Sequence, residues 1–176
     1  MTFDFAASHF DLFEQPARFA IDGRALDARY RALQAQYHPD RYASAGDAEK
    51  RLALQISTRV NEAYQILKSP LARGRYLLTL AGVDTQEETN TAMPMDFLMG
   101  QMEWREQIAE ARASGNVERL EALNAELRGE IGDLEAELGD LLDADRLAEA
   151  AVAVRKLRFL EKLDQEIGDA IEAALF

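Results

Sequence analysis

The chain has 176 residues, of which 48% are apolar, no cysteine, and a net charge of −12. That apolar content can build a core without metal or disulfide staples, and the missing cysteines exclude disulfides, thiolate nucleophiles and sulfur-ligated zinc. The charge is uneven, +2 over residues 1–80 (11 basic, 9 acidic) and −14 over residues 81–176 (9 basic, 23 acidic), and so acidic a half repels phosphate backbones, so no nucleic-acid partner is expected.

The first residues, MTFDFAASHF, carry no basic start followed by an apolar run, and no apolar stretch reaches the roughly 18 residues of a membrane span. Neither export nor a membrane partner is expected, and the cytoplasm is the expected compartment. Period-2 alternation is absent and period-3.6 patterns recur, which predicts an all-α fold. A short helix is expected around HFDLFEQ, then a long one over 24–37, where Leu26, Tyr30, Leu33 and Tyr37 form one stripe. Pro39 ends it. The next helix runs from Asp47 to Lys68 with Leu52, Ile56, Val60, Ala63 and Leu67 on one face. Ser69 is the expected N-cap of a further helix, opened by Pro70 and stopped at Gly82.

Residues 83–93, VDTQEETNTAM, carry no apolar period and read as a joint, giving domains at 1–82 and 94–176. Three helices come after it, about 94–112, 117–142 and 145–174. The middle one has Leu120, Leu123, Leu127, Ile131, Leu134, Leu138 and Leu141 at spacings of three and four, a bundle or coiled-coil seam.

Between the first two long helices lies QYHPDRYASAG. His38 and Asp40 have the residue types of a general base and its orienting carboxylate, but no nucleophile, phosphate loop or second histidine at helical spacing accompanies them. A metal site needs three or four ligands, and the spacing of two histidines and scattered carboxylates supplies none. No catalytic residue, metal or cofactor is therefore expected. The bland alternative is a helix-ending turn, with Asp40 capping the next segment and His38 in solvent.

The frame of the turn is more specific than the tripeptide. YRALQAQYHPDR followed by NEAYQIL, with Asn61 21 residues after Asp40, resembles the J-domain family over about residues 10–80. That resemblance implies an antiparallel helical hairpin presenting a His-Pro-Asp loop. It also implies docking on a DnaK-type chaperone and stimulation of its ATPase, with His38, Pro39 and Asp40 as the essential loop and Arg29, Arg31 and Arg41 as basic contacts. Ala32 stands where general J-proteins often carry a second basic residue, which favours a dedicated chaperone over a general one.

In the second half, FLMGQMEWREQI and VRKLRFLEKL, placed after such a domain, resemble the HscB family of iron-sulfur co-chaperones over the whole length. The resemblance implies a C-terminal three-helix bundle that binds the scaffold protein IscU and presents it to the chaperone HscA. Its scaffold-binding surface matches Leu98, Met99, Met102, Glu103, Glu106, Glu110 and Phe159, with Gly100 and Trp104 departing from the usual residues. A helical wheel at about 100° per residue agrees in part. Phe97, Trp104, Ile108 and Ala111 make a core stripe, and Leu98, Met99 and Met102 lie on another side with the three glutamates. On the last helix Val154, Leu157, Leu160, Ile171 and Leu175 cluster, and Phe159 points away. Flexible methionines and an aromatic ring with a charged rim suit a binding surface. A J-protein with a different client, or a structural coiled-coil protein whose J-domain no longer acts, are the rival readings.

Overall fold

A computed structural model describes residues 2–176, and its regular structure is helical throughout. The order is α1 (His9–Leu12), α2 (Gly23–Tyr37), a 3-10 turn (Pro39–Tyr42), α3 (Asp47–Lys68), α4 (Pro70–Leu80), α5 (Met95–Ala113), α6 (Val117–Asp143) and α7 (Leu147–Leu175). The expected helices are present, and among the described residues there is no strand. The chain divides into two compact units, one reaching to Leu77 and the other starting at Leu78.

In the first unit, α2 and α3 pair antiparallel over a core of Phe10, Phe13, Leu26, Leu33, Tyr37, Ile56, Val60 and Leu67. Asp22 opens α2 by accepting from the amides of Arg24 and Ala25, both at 3.1 Å. Ser69 caps α4, its hydroxyl accepting from the Ala72 amide at 3.2 Å. Asn61 holds the hairpin together, because its carboxamide oxygen accepts from Tyr30 Oη and Gln34 Nε2, both at 2.6 Å. Beside it the Tyr30 and Tyr64 rings stack at 3.9 Å. The Tyr64 hydroxyl donates to Asp27 Oδ1 at 2.6 Å, and this bond, with Lys68 nearby, holds the Asp27 carboxyl below its ordinary pKa. Arg73 is buried and closes the C-terminal end of α3. Its Nη1 donates to the Leu67 carbonyl at 2.6 Å and its Nε to that of Phe19 at 2.7 Å.

His9 is buried against Tyr76, the rings stacked 4.3 Å apart, and its Nδ1 has no hydrogen-bond partner among the described residues. Burial first, then the charge of Arg59, lowers its pKa below 6.5, against a weaker opposite pull from Glu62. Below that pH the unfolded chain takes up a proton that the folded one refuses, so stability falls as pH drops from 6.5 toward the depressed native value. Urea unfolding at about pH 7 and about pH 5.5 should show this loss in the native chain and a smaller one in His9→Phe; an equal loss in both would assign the effect to other groups.

In the second unit, α6 and α7 form a long antiparallel hairpin and α5 packs across it. Leu120, Leu123, Leu127, Leu134, Leu138 and Leu141 of α6 are buried, facing Val154, Leu157, Leu160, Leu163 and Ile167 of α7. Asn124 Nδ2 donates to Asp164 Oδ1 at 2.7 Å and fixes the register. Two expectations for α7 fail. Ile171 is half-buried and Leu175 exposed, because this register carries the last turn of α7 past Val117, where α6 begins, and leaves that face without a partner helix. Leu163 and Ile167 take the core positions instead.

Residues 83–93 have no regular structure, yet their first half is tied to α7. Thr85 is buried, its carbonyl accepting from Arg155 Nη1 at 3.1 Å, and Glu88 pairs with Arg158 at 3.6 Å. Gly82 ends α4 at φ 78°, a left-handed conformation that glycine adopts without strain.

Candidate functional site

The His-Pro-Asp turn follows from the ending of α2. His38 is extended, with φ −58° and ψ 132°, as a residue before proline prefers, and Pro39 then opens the 3-10 turn. The cap is His38 rather than Asp40: its Nδ1 accepts from the Asp40 amide at 3.2 Å. That bond occupies Nδ1 and leaves Nε2 as the polar atom of the ring not engaged by the turn. The Asp40 carboxylate lies 3.6 Å from that Nδ1, too far for a hydrogen bond. With side chains 53% and 92% exposed, His38 and Asp40 are presented to solvent and held only through the backbone of the turn.

The basic residues divide. Arg41 folds back so that its Nη1 donates to the Ala35 carbonyl at 2.9 Å, while Tyr42 Oη donates to Gln36 O at 3.2 Å. Both close the open C-terminal end of α2 and brace the turn. Arg29 leans toward α1, its Nε 3.4 Å from the Leu12 carbonyl and its Nη2 3.7 Å from Glu14. Arg31 is exposed opposite Leu26 and Leu33 and makes no ion pair among the described residues, which makes it the most available cation of the three.

On the bundle, Leu98, Met99 and Met102 of α5 are 39%, 58% and 65% exposed. Phe159 comes to them from α7, edge-on to Phe97 with ring centres 6.4 Å apart. Phe97, Leu98, Gln101, Met102, Arg105 and Phe159 wall a groove of about 340 Å³, nearly all of it apolar. The structure thus joins Leu98 and Met102 with Phe159. Met99, Glu106 and Glu110 stand exposed on α5 outside the groove, and Glu103 faces the other flank of the helix. The placement of Phe97 in the core is corrected. It lies in the first turn of α5 beside Phe159 of α7, and it is a half-buried wall of the groove with the Lys156 ammonium 5.6 Å from its ring centre. Gln101 takes its place in the buried stripe with Trp104, Ile108 and Ala111. A polar residue at the core spacing gave no signal in an apolar count. Arg105, held by Glu166 at 3.6 Å, was missed as well.

Among the described residues no three His, Asp or Glu side chains converge as metal ligands, and no helix is long and apolar enough to cross a membrane. The two histidines differ in kind, one stacked in the core and one exposed in the turn.

Residues 93–168 match the family model described as the HSCB C-terminal oligomerisation domain. The co-chaperone protein HscB homolog of Chromobacterium violaceum is 64% identical over 176 residues, 99% of each chain. Among solved structures, chaperone HscB from Vibrio cholerae is similar with a TM-score of 0.84 at 34% identity, over 97% of this chain and 100% of that one. Human co-chaperone protein HscB gives 0.89 at 28% identity, over 96% of this chain and 84% of that one.

Proposed function

The chain belongs to the HscB family of co-chaperones, and from that premise we propose that it stimulates the ATPase of an HscA-like DnaK-type chaperone and delivers an IscU-like scaffold protein to it for iron-sulfur protein maturation. The observation that carries this reading is a pair of unlike surfaces on one chain: a braced, polar turn with exposed His38 and Asp40, and an apolar groove on a helix that also exposes Met99, Glu106 and Glu110. The turn suits a charged partner. An exposed carboxylate pairs with an arginine across an interface, and a loop already fixed by Pro39, the His38 cap and Arg41 loses little entropy on docking.

The groove and the exposed face of α5 beside it suit a protein client, since Leu98 and Met102 in the groove and Met99 outside it can adapt to a partner's apolar side chains while Glu103, Glu106 and Glu110 steer it. Holding client and chaperone through one chain raises their effective concentration, which accelerates delivery without any catalytic group in this protein. No cofactor enters, and the reading places the protein in the cytoplasm, away from nucleic acid and membranes. Isothermal titration with a cluster-free IscU-type scaffold tests the client: saturable binding is expected, and no binding alongside normal ATPase stimulation would assign a different client.

A further inference from the structure

α5 has two flanks of different character, and only the one facing α7 forms the apolar groove. On the α6 side a second cleft of about 360 Å³ opens at Gly100. A Cβ at this position would meet nothing within 4 Å, so a larger side chain has room to enter the cleft. Asp96 and Glu103 of α5 and Glu130 of α6 line it, and none of the three forms an ion pair among the described residues. Glu126, also at the wall, is already held by Arg119 at 3.4 Å. The one cation in the lining, Lys156, sits over the Phe97 ring.

Two buried groups underlie these carboxylates. Trp104 is 9% exposed and donates its indole N–H to Glu130 Oε2 at 3.2 Å. Gln101, which lines this cleft as well as the apolar groove, is 8% exposed, and its side-chain oxygen Oε1 has no hydrogen-bond partner among the described residues. A buried acceptor without a donor weakens the fold, and native proteins leave few of them without a use.

We propose that this cleft receives an arginine side chain of the scaffold protein seated on the neighbouring groove, an inference that rests on the scaffold-binding reading given above. Carboxylates without an ion pair, one of them bonded only to the neutral Trp104 N–H, and an orphaned acceptor call for a cation that also donates hydrogen bonds. A metal ion does not fit, because no three ligands converge there. A guanidinium carries five donors in one plane, enough to meet Gln101 Oε1 and a carboxylate together while its face lies against an aromatic ring. Lysine brings the charge without the plane. Glu103 joins the cleft to the surface bearing Met99 and Met102, so one bound protein reaches both, with apolar side chains in one groove and the arginine in the other.

Gly100→Leu fills the cleft with a residue of higher helix propensity at a position that does not line the apolar groove. Glu130→Gln removes a charge and keeps an oxygen for the Trp104 N–H. Trp104 is the chain's only tryptophan, so 5-fluorotryptophan places a single ¹⁹F reporter at the cleft. With a cluster-free IscU-type scaffold as the probe, binding should shift the ¹⁹F resonance. Gly100→Leu should raise Kd about tenfold or more without lowering Tm, and Glu130→Gln should raise Kd and flatten its salt dependence. A Kd for Gly100→Leu within about twofold of the native value, with an unmoved ¹⁹F signal, overturns the proposal while the scaffold reading stands. A scaffold that does not bind the native chain, or binds equally well when Leu98, Met99 and Phe159 are alanine, overturns both.

Discussion

His38→Gln abolishes stimulation of the partner chaperone's ATPase, with a loss of about thirtyfold or more, the ~2 kcal/mol of an interface hot spot. Two roles of the ring have to be separated, since Nδ1 caps the turn by accepting from the Asp40 amide and the rest of the imidazole faces outward. Asparagine separates them. Its Oδ1 stands as many bonds from the backbone as Nδ1 and can accept from the same amide, but it offers nothing at the position of Nε2. His38→Asn should keep the turn, checked by unchanged Tm and circular dichroism, and lose stimulation as fully as His38→Gln. Recovery of stimulation by asparagine would show that the cap, and not the outward contact, is what the chaperone requires.

The second large effect is on the client. Changing Leu98, Met99 and Phe159 together to alanine weakens scaffold binding about a hundredfold, since each truncation removes roughly 1 kcal/mol of apolar burial at the interface. Leu98 and Met99 are exposed in the free chain, so their loss leaves the core intact. Phe159 is half-buried against Phe97, so Tm is followed alongside affinity. An affinity within a few-fold of native would remove these residues from the client surface. ATPase stimulation in the absence of scaffold should be unaffected in this variant, because the turn lies in the other compact unit.

Much of the fold can be read in the sequence, for a physical reason. Stripes such as Leu26, Tyr30, Leu33, Tyr37 and the leucines of α6 repeat at helical spacing, and Pro39, Ser69-Pro70 and Gly82 are local stops and starts that act on neighbouring backbone alone. What escapes is whatever depends on the partner an element meets. A wheel treats every turn of a helix alike, so it put Phe97 and Leu175 in the core although one lies in the first turn of α5 and the other beyond the start of α6. It missed Gln101 because composition does not disclose that a polar side chain occupies a buried stripe. The polar stretch 83–93 shows no period because its attachments run through single backbone and charged groups, Thr85 to Arg155 and Glu88 to Arg158, which leave no pattern.

The candidate surfaces divide in the same way. The turn is legible as a motif, since its residues are consecutive, but its bracing is not: Arg41 reads as a partner contact by type and charge, and its distance to the Ala35 carbonyl shows that it also closes α2. The apolar patch is legible on α5 from Leu98, Met99 and Met102, and the family resemblance adds Phe159, whereas the groove that Phe159 completes from α7, and that leaves Met99 outside, exists only after packing.

The decisive measurement for a co-chaperone role is single-turnover ATP hydrolysis by an HscA-type chaperone, with this protein alone, with an IscU-type scaffold alone, and with both. Acceleration by this protein alone is expected, together with an acceleration by both that exceeds the product of the separate effects. Hydrolysis at the basal rate with this protein present, or a combined rate no greater than that product, would contradict the co-chaperone reading.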